Sequence, residues 1–119
     1  TGIPFETVKR DGMLSVSWKP LFAGGRELIE SRAPADLAMA FHRAVAEASV
    51  RMVRFAADRS ACKNVVLSGG VFMNRVLCRL LDERLRKAGF VPYVHRQTPP
   101  NDGSVALGQA IVAGGGDQV

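Results

Sequence analysis

The chain is poor in the residues that most directly announce chemistry, with two cysteines, two histidines, one tryptophan and one tyrosine in 119 residues. Cys62 and Cys78 are too far apart for a Cys-x-x-Cys metal motif. Without a basic-then-apolar leader, a secreted disulfide framework is not expected. Both therefore read as reduced thiols, buried or half-buried, and the cytoplasm is the expected compartment. No apolar run approaches the roughly 20 residues that span a bilayer. A Walker A loop and a GxGxxG fingerprint are also missing, so neither of the common phosphate-binding signatures applies. His42 and His95 form no recognisable ligand pair, and no Ser/His/Asp or Cys/His constellation can be assembled.

What is present is the balance of a globular domain, 47% hydrophobic and 23% charged. The length fits one domain or a piece of one. The net charge of +5 is carried on helical surfaces, where Arg79, Arg84, Arg86 and Lys87 alternate with Asp82 and Glu83. That interleaving reads as a solvated helix face, and nucleic-acid binding is not expected. A basic chain also suits small anions such as nucleotides.

Along the chain, Leu14, Val16 and Trp18 alternate with serines, which predicts a half-buried strand ended by Lys19-Pro20. A short helix from Pro20 towards Ile29 follows, weakened by Gly24-Gly25. Pro34 then opens a long helix running to about Arg59, with Asp36 at its positive end and Leu37, Phe41, Ala44, Ala48, Met52 and Phe55 on one face. Trp18, Phe41 and Phe55 are taken as core residues. Asn64 to Ser68 has the character of a buried strand. The following helix points Met73, Val76, Leu77, Leu80, Leu81 and Leu85 inward and stops near Gly89. Another strand, "FVPYVH", contains Pro92 and so lies near an edge. A turn-rich loop, "QTPPNDGS", leads to a last helix capped by Ser104 and ending at about Ala113. This order predicts an α/β fold with parallel strands and helical crossovers, and ligands gathered at the carboxyl ends of the strands.

Two strand-to-helix junctions should open towards that edge. Gly69 and Gly70 lack a Cβ and let a ligand approach the main chain, and the helix beyond offers unpaired N–H groups to phosphate oxygens. Asn74, one turn into that helix, adds an amide donor and acceptor. A tight turn accounts for the same glycines, with Asn74 merely exposed. Asp102, between Asn101 and Gly103 in a loop stiffened by Pro99 and Pro100, could turn a carboxylate towards a cation. A plain Asp-Gly turn accounts for it as well. His42, beside Phe41, reads as a packed or surface residue. His95 lies closer to the ligand edge but has no evident orienting partner.

The segments "LSGGVFMN" and "HRQTPPNDGSVALGQA", in that order, with "AFHRAVAE" and "DGMLSVSWKPLF" upstream, resemble the C-terminal end of the HypF family, the carbamoyltransferases of nickel-iron hydrogenase maturation. The resemblance covers nearly all of the chain. It implies kinship with TsaD, the tRNA threonylcarbamoyladenosine synthase subunit, and a partial actin-like (ASKHA-type) nucleotide-binding lobe, with a mixed or parallel sheet flanked by helices. It further implies that Gly69, Gly70 and Asn74 contact nucleotide and that Asp102 helps bind a divalent metal beside the phosphates, with ATP and magnesium as cofactors. The implied reaction uses carbamoyl phosphate and ATP to form a carbamoyl-adenylate, then carbamoylates the C-terminal cysteine of the partner HypE. Neither Cys62 nor Cys78 is that acceptor.

The family's histidine-rich metal motif and its acylphosphatase-like and zinc-finger-like regions do not occur in this sequence. Residues 1–119 are thus expected to be the C-terminal part of the carbamoyltransferase domain, folding as most of one lobe and inactive alone. Two alternatives stay open: a related carbamoyl or threonylcarbamoyl transferase, and a non-catalytic lobe that binds a partner.

Overall fold

The computed structural model describes residues 2–97 and 99–115. A hairpin comes first, β1 (Glu6–Arg10) and β2 (Met13–Ser17), paired antiparallel from Glu6↔Ser17 to Arg10↔Met13. Its turn has positive φ at both Asp11 and Gly12, 52° and 75°, the two-residue geometry that matches strand twist. β2 follows from the Leu14/Val16 alternation. β1 escapes that reading because its residues are mostly exposed and polar, and the Asp-Gly dipeptide is the signal that would have revealed it.

Two helices follow, α1 (Lys19–Glu30) and α2 (Pro34–Ser60). As expected, α2 starts on Pro34 with Asp36 in its first turn. Ala44 and Ala48 of the expected face are buried, but the rest of the buried set differs from it. Phe41 and Met52 are 44% and 45% exposed, whereas Ala40, Ala44, Ala46, Ala48 and Val50 are buried. The reason is that α2 serves two clusters on different sides. Ala40 and Ala44 pack with Ile3, flanked by Trp18 and Leu37. Ala46 and Val50 pack with the second half of the chain. Small side chains face the close contacts and the large ones lie at the rim. Phe41 still meets the Trp18 ring at 5.6 Å, and Trp18 and Phe55 are half-buried.

The hairpin is tied to α2 through Arg59. Its Nη1 donates to Gly12 O at 2.8 Å, and its guanidinium lies 3.9 Å from the Phe55 ring centroid, a cation–π contact.

The second half is a βαβ unit. β3 (Asn64–Leu67) and β4 (Val91–Val94) are parallel, in register from Asn64↔Val91 to Leu67↔Val94, with α3 (Arg75–Lys87) between them. Among the described residues β2 pairs only with β1, so the parallel pairing expected across the chain is confined to β3 and β4. Leu77, Leu81 and Leu85, four residues apart, form a stripe that packs on Ala46 and Val50 of α2, with Leu67 and Phe90. Met73 and Val76, expected inward, are 58% and 43% exposed. Met73 belongs to a short 3-10 turn, Gly70–Met73, and α3 begins only at Arg75, which rotates the stripe away from both. At the other end Phe90 N–H returns to Leu85 O at 2.9 Å around Gly89, as a left-handed glycine cap requires.

α4 (Val105–Ala113) closes the described chain. Ser104 was expected to cap it, but the Ser104 hydroxyl instead donates to Pro99 O. None of the α4 side chains is buried, although a helix whose only polar side chain is Gln109 ordinarily is. Val66 in β3 is likewise 70% exposed, so the strand is covered on one face only. No helix among the described residues is long and apolar enough to cross a membrane.

The radius of gyration is 17.4 Å, against about 13–14 Å for a compact domain of this length. The accessible surface is 8642 Å², against about 6300 Å² for a folded monomer of this mass. The fold is thus more open than a compact domain of this size, with apolar side chains such as Phe22, Val66 and Val112 left exposed.

Leu85, fully buried, should be the most costly truncation: Leu85→Ala should lower stability by about 2–5 kcal/mol. Val66→Thr, on the bare sheet face, should change it by no more than about 0.5 kcal/mol. Urea unfolding followed by circular dichroism separates the two.

Candidate functional site

The carboxyl ends of β3 and β4 bring both glycine-bearing junctions together. Directly after β3, Gly69 takes φ 113° and ψ 162°, a backbone region in which only glycine is at ease. Its N–H donates to Pro100 O at 2.7 Å, so the loop that carries Asp102 is hydrogen-bonded to the loop that carries Gly69 and Gly70. A Cβ on Gly70 would sit 3.9 Å from the Asn101 Cβ, an ordinary contact. The same two strand ends are linked by side chains, with His95 Nε2 2.9 Å from Ser68 Oγ. His95 thus has the orienting partner that the sequence did not reveal.

The loop holding Asp102 is built by local polar contacts. Asn101 Oδ1 accepts from Gly103 N–H at 2.9 Å, and Ser104 N–H donates to Asn101 O at 3.2 Å, forming the side-chain-capped turn typical of asparagine. A Cβ at Gly103 would lie 2.9 Å from Asn101 Oδ1 and 3.0 Å from Pro99 Cγ, so no other residue fits without a shift. Asp102 opens a 3-10 turn, Asp102–Ser104, and is exposed.

Asn74 has a different place from the expected one. The 3-10 turn intervenes after the glycines, and Asn74 is the N-cap of α3 rather than a residue one turn inside it. Its Oδ1 accepts from Leu77 N–H at 3.0 Å, the standard service of an N-cap asparagine. Its Nδ2 donates to His42 Nε2 at 2.7 Å, and His42 Nδ1 donates to Ala38 O at 2.8 Å. His42, which the sequence marked as packed or surface, is therefore coupled to the junction from α2, a contact 32 residues away in sequence.

Asp102 is an isolated carboxylate: no group of three or more His, Cys, Asp or Glu side chains able to hold a metal occurs among the described residues. A magnesium ion carried on nucleotide phosphates needs only one or two protein carboxylates, and Asp102 fits that role. It does not make an independent metal site.

The two thiols are free. Cys62 is exposed, contrary to the expected burial, because it lies in the connection between α2 and β3. Cys78 is half-buried on α3. Burial pushes its thiol above the ordinary range, and the Sγ–H donates to Phe72 O at 3.1 Å.

Comparison with known proteins supplies the deciding observation. Residues 2–109 match the family described as carbamoyltransferase, Kae1-like domain, second subdomain. This chain belongs to the HypF carbamoyltransferase family. It is 32% identical over 109 residues to the carbamoyltransferase HypF of Synechocystis sp., covering 91% of this chain and 13% of that protein. It is 36% identical over 108 residues to a carbamoyltransferase HypF homolog of Cupriavidus necator, covering 89% of this chain and 27% of that protein. A full-length HypF solved in a phosphate- and nucleotide-bound form superposes with a TM-score of 0.82 at 28% identity, over 94% of this chain and 15% of that one. T. kodakarensis HypF gives 0.68 at 31% identity, over 83% and 13%. The chain thus spans about an eighth of the first of these relatives. The mixed α/β architecture is that of the HypF Kae1-like domain.

Gly69→Ala should cost about 1–3 kcal/mol through backbone strain alone, since nothing lies within 4 Å of the added Cβ. Gly70→Ala should leave the fold intact, and thermal melts of the two variants test the contrast. In alkylation with iodoacetamide Cys62 should react first. The rate at Cys78 should rise only at a more alkaline pH than for a cysteine in an unstructured peptide, as read by mass spectrometry across a pH series.

Proposed function

We propose that this chain is the nucleotide-binding lobe of a carbamoyltransferase that uses carbamoyl phosphate, water and ATP to form a carbamoyl-adenylate, with phosphate and pyrophosphate released. The carbamoyl group then passes to the C-terminal cysteine sulfur of HypE, the thiol losing its proton and AMP leaving, in cyanide-ligand synthesis for nickel-iron hydrogenase. The observation that carries the reading is the Gly69 N–H to Pro100 O hydrogen bond. It unites the two segments that sequence reasoning nominated separately, at the strand edge where α/β sheets collect ligands. Membership of the HypF family and the likeness to a nucleotide-bound HypF support it further.

In this reading Gly69 and Gly70 let nucleotide approach the backbone. The start of α3 supplies N–H groups and positive potential to phosphate oxygens. The Asn74 amide, with one N–H and one oxygen lone pair beyond its internal bonds, contacts the nucleotide. Asp102 would be one ligand of a magnesium ion on the phosphates, and such an ion, when bound, would supply neutralisation of phosphate charge. The remaining groups come from outside these 119 residues, and the isolated chain has no carbamoyltransferase activity.

A second reading, a lobe that binds a partner without nucleotide, is favoured by the open apolar cleft of about 720 Å³ between α1 and α2, lined by Phe22, Ile29 and Phe41, and by the uncovered α4. One experiment separates the two. Amide NMR of the chain titrated with magnesium-ATP should give saturable shifts centred on Gly69, Gly70, Asn74 and Asp102, lost in Gly70→Arg and weakened in Asp102→Ala. A folded spectrum without response, together with a partner retained on both variants in pull-down, would replace the first reading with the second.

A further inference from the structure

We infer that His42 is a positioning residue for the glycine junction, acting through Asn74 in its neutral Nδ1–H tautomer. The nucleotide part of this inference rests on the reading given above, whereas the positioning itself does not. The basis is a continuous chain of hydrogen bonds between two helices. Leu77 N–H donates to Asn74 Oδ1 at 3.0 Å, Asn74 Nδ2 donates to His42 Nε2 at 2.7 Å, and His42 Nδ1 donates to Ala38 O at 2.8 Å. Each donation runs in the same direction, from the first turn of α3 to the backbone of α2, so the bonds polarise one another in the same sense.

The direction fixes the chemistry of every member. A carbonyl oxygen only accepts, so Nδ1 must carry the proton facing Ala38 O. Nε2 is then the acceptor of a neutral ring, and only the NH2 end of Asn74 can face it. That leaves Oδ1 towards Leu77, as the N-cap requires. The Nε2–H tautomer would set donor against donor at Asn74 and acceptor against acceptor at Ala38, and the imidazolium would set donor against donor at Asn74.

Capping alone does not need this imidazole, because an N-cap asparagine uses only its oxygen and leaves its NH2 group to solvent. The second bond removes the rotational freedom of the amide and refers its orientation to α2, a helix of 27 residues. It also couples α2 to the segment between Gly69 and α3, so that the cap, the 3-10 turn and the remaining N–H of Asn74 are held together. His42 thereby sets where the Asn74 amide presents its unused groups, without itself touching ligand.

The test has two arms on the 119-residue chain. The first reads positioning without nucleotide: NMR of the wild-type chain with 15N-labelled histidine should show His42 protonated at Nδ1 and bare at Nε2. Leu77 amide exchange should be faster in His42→Ala by about two- to tenfold, the range of one lost hydrogen bond, with Leu81 unchanged. His42→Gln, whose side-chain oxygen can accept from Asn74, should recover most of the protection. The second arm reads magnesium-ATP affinity, expected to fall about two- to tenfold in His42→Ala and to return in His42→Gln. An Nε2–H tautomer, or unaltered Leu77 exchange in both variants, overturns the positioning role. Normal tautomer and exchange results with no magnesium-ATP response in the wild type would support positioning and reject the nucleotide reading alone. Should His42→Ala not fold, the tautomer measurement and His42→Gln still decide.

Discussion

The packing of the α3 leucine stripe on the small-residue side of α2 sets the positions of everything else in the second half of the chain. Leu77, Leu81 and Leu85 meet Ala46 and Val50, with Leu67 of β3 and Phe90 before β4 completing the cluster. Alanines on α2 let the helices approach closely, and the contact in turn places the start of α3 beside His42. Without that approach, Asn74 would cap its helix but have no imidazole to hold its other end. Hydrophobic burial and polar orientation are consequences of one helix pair.

The candidate site is built almost wholly from backbone groups and polar side chains. Gly69 donates to Pro100 O, Ser68 meets His95, Asn101 caps the turn that carries Asp102, and Asn74 is fixed between Leu77 and His42. Such an arrangement fits an anion better than it fits a bare cation. Nitrogen donors at a helix start attract anions, whereas the lone carboxylate of Asp102 forms no metal cluster with other side chains among the described residues. Some of the basic residues that dominate the net charge are paired away from it. Arg86 pairs with Asp82 and Arg51 with Glu47 on exposed helix faces, where such pairs add little to stability.

The apolar surface left bare on α4, Val66, Tyr93 and the α1/α2 cleft agrees with the elongated shape and with the small share of each HypF relative that these residues represent. In a doubly covered sheet, β3 would be buried on both faces. Here one face has α2 and α3, and the other has no cover among the described residues.

Periodicity and turn chemistry determined by themselves the helices, their starts at Pro34 and ends at Gly89, the two parallel strands and the two glycine-bearing junctions, because these depend on local backbone preference and on the spacing of apolar residues. The motifs also carried the family. The hairpin partner β1 was hidden by its charged, exposed side chains, although Asp11-Gly12 held the clue. Only the tertiary structure decided which face of α2 is buried, since one long helix packs on two clusters and no single period describes it. It alone joined Gly69 to Pro100, gave His95 its serine, and moved Asn74 from within α3 to its cap. Above all it brought His42 to Asn74, because a hydrogen bond between residues 32 apart depends on how two helices cross, and no local pattern encodes that crossing.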